Sequence, residues 1–138
     1  MHIQPSENAP LIRTDFSCPE AWQKLVAAVS NPADPFLFTM QIVDDRTYDR
    51  ATVEQLVAAL PGGHPHACLV VADSTSMSLA DHPLLVVDLV EERGRRVRAI
   101  AAEIAAIDNN LSIANMGFGE FANAVDESGV FRGFDEPR

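Results

Sequence analysis

Positive charge is scarce in this chain. Ten lysines and arginines stand against twenty acids, for a formal net charge of -10, and Lys24 is the single lysine. Duplex binding draws its affinity from phosphate neutralisation by Lys and Arg, so no nucleic-acid partner is expected. The same balance favours solubility and suits a basic protein partner or a bound cation. Cysteine is equally sparse: Cys18 and Cys68 do not make a disulfide framework. Cys68 stands inside an apolar run, where a thiol behaves as a small hydrophobe. Long hydrophobic runs are absent, and nothing approaches the roughly 20 residues of a membrane span. The polar first ten residues lack the basic-then-apolar layout of a secretion signal, so a cytoplasmic location without membrane contact is expected. No P-loop, nucleophile elbow or His-Glu-x-x-His motif is present. Gly117-Phe118-Gly119 is only a fragment of a dinucleotide fingerprint and follows no clear strand.

What is present is an ordinary globular composition, 47% apolar and 22% charged over 138 residues. That length fits one domain, residues 1–138, with 1–9 as a flexible arm. The centre of the pattern is 67–73, Ala-Cys-Leu-Val-Val-Ala-Asp, an unbroken apolar run ending on a carboxylate. It reads as a strand covered on both faces. Residues 11–14 form a first strand running into Asp15, and 36–43 a second running into Asp44 and Asp45. Between the first two strands, Ser17 and Glu20 suggest a capping box with Pro19 in the first turn. Trp22, Leu25, Val26 and Val29 then fall on one helical face. Thr52 and Gln55 suggest a second capping box, ahead of Val53, Leu56, Val57 and Leu60 at the same spacing.

The order β-α-β-α-β implies parallel strands with the first between the second and third. Asp15 and Asp73 would then flank the switch point at which such sheets bind ligands. Residues 74–83 are short for a helical crossover and hold at most a turn of helix. Strands at 84–90 and 97–100 follow as a hairpin turning at Gly94, with Asp88 opposite Arg98. A helix at 101–108 closed by Asn109 and Asn110, and another containing Phe118, Phe121, Ala122 and Val125, complete the chain. A tail carries Phe131 and Phe134 onto the body. The expected fold is α/β: a mostly parallel five-stranded sheet, its last strand antiparallel, with helices on both faces and two C-terminal helices.

The acids at the strand ends, Asp15, Asp44, Asp45 and Asp73, are the leading ligand-binding candidates. Carboxylates gathered there could hold Mg²⁺, with Asp15, Asp44 and Asp73 as ligands and a phosphate brought along. The plainer reading has each acid capping the turn or helix after its strand. His64 and His66, with His82 further on, raise a transition-metal question, though no cysteine or carboxylate stands at ligand spacing. Cys18 sits where a helix begins, a place that can activate a thiol. Arg93, Arg95, Arg96 and Arg98 concentrate positive charge in the hairpin. They form either an anion patch or a solvated guard on an edge strand. Asn110 and Asn115 either satisfy backbone groups in a tight connection or present amides to a ligand.

Several stretches carry a resemblance: Ile42-Val43-Asp44-Asp45, Thr52-Val53-Glu54-Gln55-Leu56, and His82-Pro83-Leu84-Leu85-Val86-Val87-Asp88. The run Asn109 to Met116 and the ending Gly129-Val130-Phe131-Arg132-Gly133-Phe134 belong with them. The sequence resembles an uncharacterised family of small actinobacterial α/β proteins, a domain of unknown function, from residue 11 to 134. Family members tend to carry an acid after the methionine, where this chain has Gly117. The resemblance implies one compact intracellular domain in a high-GC bacterium and transfers no catalytic residue.

Two functions are compatible with these features. The first is a non-catalytic intracellular protein-binding domain, regulatory or immunity-type, that meets a basic partner through an acidic surface and needs no cofactor. The alternative is a small Mg²⁺-dependent enzyme acting on a phosphorylated or acidic small molecule through the strand-end carboxylates.

Overall fold

Five consecutive apolar or small residues are sheltered only if both faces of their strand are covered. Cys68–Ala72 forms such a strand, β3, and every residue of it is buried. The structure is a computed structural model and describes residues 1–31 and 37–134. Among these, six strands join one mixed sheet: β1 (Pro10–Arg13), β2 (Gln41–Val43), β3, β4 (Leu84–Asp88), β5 (Arg96–Ala99) and β6 (Val130–Phe131). Five α-helices accompany them: α1 (Pro19–Val29), α2 (Val53–Ala58), α3 (Ser74–Ser78), α4 (Ile104–Ser112) and α5 (Phe118–Ala122). The sheet order is β2-β1-β3-β4-β5-β6, so the fold is α/β.

The first half follows the expected plan. β1 lies between β2 and β3 and is parallel to both. The chain leaves β1 to one side and returns to the other, which sends the two crossover helices to opposite faces. Successive strand residues also face opposite ways, so Leu11 and Val70 meet Trp22, Leu25 and Val29 of α1 in one core. Ile12, Leu69 and Val71 meet Val53 and Leu56 of α2 in the other. Leu56 is wholly buried, and removing such a side chain from water contributes about 2 kcal/mol. α2 starts with the expected capping box: the Gln55 N–H donates to Thr52 Oγ1 (3.1 Å) and the Thr52 N–H to Gln55 Oε1 (2.9 Å). α1 does not use Ser17 as its cap. Cys18 holds that position without a side-chain bond, and the Ser17 N–H donates to Asp15 Oδ1 at 2.9 Å.

β2 is shorter than expected. Phe36 lies outside the described residues, and pairing begins only at Gln41, opposite Pro10. Proline has no N–H with which to extend the ladder. The N-terminal residues expected as a loose arm touch the body at Ile3, which is buried and donates its N–H to the Ala59 carbonyl (2.9 Å).

The second half departs from a mostly parallel, five-stranded sheet. β4 is antiparallel to β3, β5 is antiparallel to β4, and a sixth strand, β6, runs parallel to β5. A parallel return after β3 needs a crossover of about a dozen residues or more, and the chain provides only α3 and a turn. The hairpin register also differs. Arg98 faces Leu85, and Asp88 does not pair with it. The buried Asp88 carboxylate turns instead into its own loop, accepting the N–H groups of Val90 (2.9 Å), Glu91 (3.3 Å) and Glu92 (2.8 Å). Three donors satisfy such a carboxylate without an arginine. Nor is β5 an exposed edge. β6 covers it, held by Phe121 against Phe131 (5.3 Å) and by Arg132, which bridges Asp126 and Asp81.

α4 runs through Asn109 and Asn110, which therefore do not close it. Its end lies at Ile113, with Ala114 left-handed (φ 56°), the Ala114 N–H on Leu111 O (3.1 Å) and the Asn115 N–H on Asn110 O (3.0 Å). This is a Schellman ending in which alanine stands where glycine is favoured. Ala114 is exposed, so Ala114→Gly relieves left-handed strain without opening a cavity. The expected gain is about 1 kcal/mol, read as a higher urea midpoint at unchanged slope.

Candidate functional site

Two helices leaving a parallel sheet on opposite faces open a crevice at the carboxyl ends of the strands between them. In this chain that place is the end of β1 beside the end of β3, and a cavity of about 580 Å³ lies there. Thr14 and Asp15 enter its wall from β1, Asp73 from β3, and Arg46 and Arg50 from the loop after β2.

Each wall residue is placed by a local cause. The Thr14 N–H donates to Ala72 O (2.9 Å), extending the β1–β3 ladder to the lip of the cavity. Asp15 is half-buried, and its Oδ1 holds the Ser17 N–H. Asp45 caps the short 3-10 turn Arg46–Tyr48 by accepting the Thr47 N–H (2.9 Å), and this bond holds its carboxyl below the ordinary range. The turn aims Arg46 over the ring of Phe16, 5.2 Å from its centroid. Arg13, from within the sheet, covers the same ring at 4.3 Å. Arg50 adopts a left-handed backbone (φ 59°), costing about 1 kcal/mol, while its N–H is tied to Thr14 O at 2.8 Å. Strain of this kind persists where the surroundings over-determine a residue, often beside a binding site.

Asp73 is the most heavily engaged residue of the wall. Its Oδ1 and Oδ2 accept from Arg98 at 2.8 and 2.7 Å, and its Oδ1 also accepts the Ser76 N–H at the start of α3. Burial is the largest single influence on the Asp73 carboxyl and pushes it up. The hydrogen bonds and charge of Arg98, with those of Ser76, outweigh it and leave the group below the ordinary range.

The crevice thus brings together Asp15 and Asp73 but not the remaining candidates. Asp44 points to Arg13 (3.1 Å), and neither Asp44 nor Asp45 lines the cavity. Asn110 and Asn115 lie at the end of α4, where Asn115 Nδ2 donates to Asn110 Oδ1 (2.9 Å) and Asn110 Nδ2 to Ala106 O (2.8 Å). Among the described residues no three of His, Cys, Asp and Glu gather as a metal-ligating group. His64 and His66 stack on each other at 5.6 Å before β3, while His82 is buried beyond its other end, donating Nδ1–H to Ser76 O. Of the hairpin arginines, Arg95, Arg96 and Arg98 form ion pairs with Glu92, Glu54 and Asp73.

The wall residues absent from the sequence-based expectation include two cations, Arg46 and Arg50, and the acid Asp49. Among the described residues neither arginine has an ion-pair partner, although acids outnumber bases two to one in this chain. Their signal was position, in the loop directly after a parallel strand.

With the site's geometry in place, comparison with known families is informative: residues 8–134 match the family described as Domain of unknown function (DUF6924). The chain belongs to the DUF6924 family. Among curated proteins none matches it. The matched span of this DUF6924 domain contains all six strands and the whole crevice wall.

The Asp73–Arg98 pair generates a pH prediction. A folded pKa below the unfolded one adds stability that is present above the unfolded value, about 4, and lost as pH falls through the folded value. Asp73→Asn should therefore flatten the acid limb of the stability curve below about pH 4. Arg98→Met strands the carboxylate and should cost about 2 kcal/mol at pH 7, between the values for exposed and for buried pairs. Urea melts between pH 7 and 2 check both; an unchanged acid limb in Asp73→Asn contradicts the assignment.

Proposed function

We propose that this protein is a non-catalytic, cytoplasmic binding domain that takes a small hydroxylated anion, carrying a carboxylate or a phosphate, in the crevice between β1 and β3. The observation that carries this reading is the pair Arg46 and Arg50. Two guanidinium groups with no ion-pair partner among the described residues line one cavity, beside Asp15 and Asp49, at the place where sheets of this topology bind ligands. Guanidinium forks recognise carboxylate and phosphate oxygens. Asp15 and the Thr14 edge supply acceptors for ligand hydroxyls. Binding is favoured over catalysis because Asp73, the acid at the end of the central strand, is saturated by Arg98 and Ser76. A group so engaged is a poor proton carrier. Metal-assisted chemistry on the strand-end acids gains no support from their placement, since Asp44 and Asp45 lie off the cavity.

A regulatory role follows naturally from such a domain. The acidic exterior, with a chain charge of -10, supports recognition by a basic partner protein, and complementary charge would speed that encounter. Ligand occupancy at the crevice would then be what the partner senses. The family resemblance, and a single lysine among ten basic residues, support an origin in a high-GC actinobacterium.

Calorimetric titration with ribose 5-phosphate, gluconate and inorganic phosphate tests the crevice. The sugar phosphate or the sugar acid should bind, and Arg46→Ala with Arg50→Ala should weaken binding at least about tenfold, or 1.4 kcal/mol. Equal affinity in the double variant, or heat from none of the three probes, overturns the proposal.

A further inference from the structure

The three parallel strands have a second end, and a second cavity lies there. It measures about 550 Å³ and is bordered by the residues leading into β1, β2 and β3 and by one side of α4. Its polar wall includes Glu7, His66, Asp108, Asn109 and Ser112, and among the described residues no lysine or arginine lines it.

Asp108 is the unusual member. Four other acids of the described chain that lie on or beside the sheet are met by strong donors: Asp73 by Arg98, Asp44 by Arg13, Asp126 by Arg132, and Asp88 by three backbone N–H groups. Asp108 has only the Ser112 hydroxyl at 3.4 Å and the Cys68 thiol at 3.9 Å, both on Oδ1. Both contacts are long and neutral, and Oδ2 has no partner among the described residues. Burial pushes the Asp108 carboxyl up, and the Ser112 and Cys68 contacts only partly oppose it.

The neighbours do not correct this. Cys68 is fully buried, and its thiol is driven far above the ordinary range, first by burial and then by Asp108 itself, so it stays protonated. Burial, with a smaller push from His64, lowers His66, which is therefore neutral at pH 7. The cavity thus presents a partly desolvated carboxylate, a second carboxylate on exposed Glu7, and, among the described residues, no fixed positive charge. Ala9, Ala105 and Pro65 complete it with apolar surface.

We infer that this cavity is a binding site for a short alkylammonium compound, a monoamine or a diamine, whose ammonium group sits on Asp108. An ammonium supplies three donors and the missing charge in one small group. The apolar patch accepts the alkyl chain, and Glu7 at the rim suits a second ammonium. This site lies at the opposite end of the strands from the crevice and does not depend on ligand binding there.

Titration of labelled protein by NMR, with n-butylamine, putrescine and the neutral isostere n-butanol as probes, tests the inference. Both amines should shift the backbone resonances of Asp108 and His66 saturably, putrescine more tightly, and butanol should not. Asp108→Asn should weaken both amines at least about tenfold. Glu7→Gln, an exposed change that leaves Asp108 intact, should weaken putrescine and leave butylamine within about twofold. Arg46→Ala with Arg50→Ala should affect neither amine, which separates this site from the crevice. No saturable shift with either amine, butanol binding equal to butylamine, or unchanged amine affinity in a folded Asp108→Asn overturns the inference.

Discussion

The bidentate pair between Asp73 and Arg98 organises this structure. It joins the end of β3 to β5 across the intervening strand β4, at 2.8 and 2.7 Å, with each side chain about a quarter exposed. The same carboxylate caps α3, and the same guanidinium holds the Pro83 carbonyl at 3.1 Å. Pro83 is also held by the buried Ser76 hydroxyl at 2.9 Å. One aspartate thus ends the central strand, starts the next helix, and anchors the turn that sends the chain back. A partly desolvated fork of this kind adds geometric specificity as well as energy.

The sheet's change of direction depends on that cluster. The chain after Asp73 has five helical residues and a short turn, and within that length it can return only antiparallel. β4 therefore runs back beside β3, and β5 runs forward again with Arg98 on the face away from Val97 and Ala99, which enter the α1 core. Parallel order is confined to β2, β1 and β3 at one side and to β5 and β6 at the other. The crevice survives because β1 and β3 are parallel neighbours at which the strand order reverses among the described residues.

The first half of the chain was legible because its signals are local or periodic. Cys68 to Ala72 could only be a doubly covered strand, and Thr52 with Gln55 is a capping pair complete within four residues. Two crossover-length connections then left one economical arrangement of β1, β2 and β3. The second half resisted for physical reasons. Asp88 and Arg98 read as a cross-strand pair by sign and spacing, but Asp88 had three backbone donors within four residues of its own loop. A local set of donors forms at lower entropic cost than a cross-strand contact. β6 is two residues long and is held by the Phe121–Phe131–Phe134 cluster, so no strand-length pattern announces it. Ser17 resembled a helix cap, but α1 begins one residue later, with Cys18 at the cap position. Of the candidate site, the crevice and two of its acids were readable from strand order. Arg46 and Arg50 were not, because a loop arginine shows its importance only when its partners can be counted.

That count is the informative quantity in an acidic chain. With twenty acids for ten bases, every arginine has carboxylates available, and five arginines have taken them: Arg13, Arg95, Arg96, Arg98 and Arg132. An arginine left without one among the described residues beside a concave wall, as Arg46 and Arg50 are, stands against the electrostatic trend of the chain. The converse holds for Asp108, a half-buried acid served, among the described residues, only by a thiol and a hydroxyl while cations elsewhere pair with exposed acids such as Glu54 and Glu92. Stability alone would favour pairing buried charges before exposed ones. Arg46 and Arg50 at the carboxyl ends of the parallel strands, and Asp108 at their amino ends, are thus charged groups for which the described residues supply no ion pair. Ligands of opposite sign to each would complete the electrostatics that folding leaves unfinished.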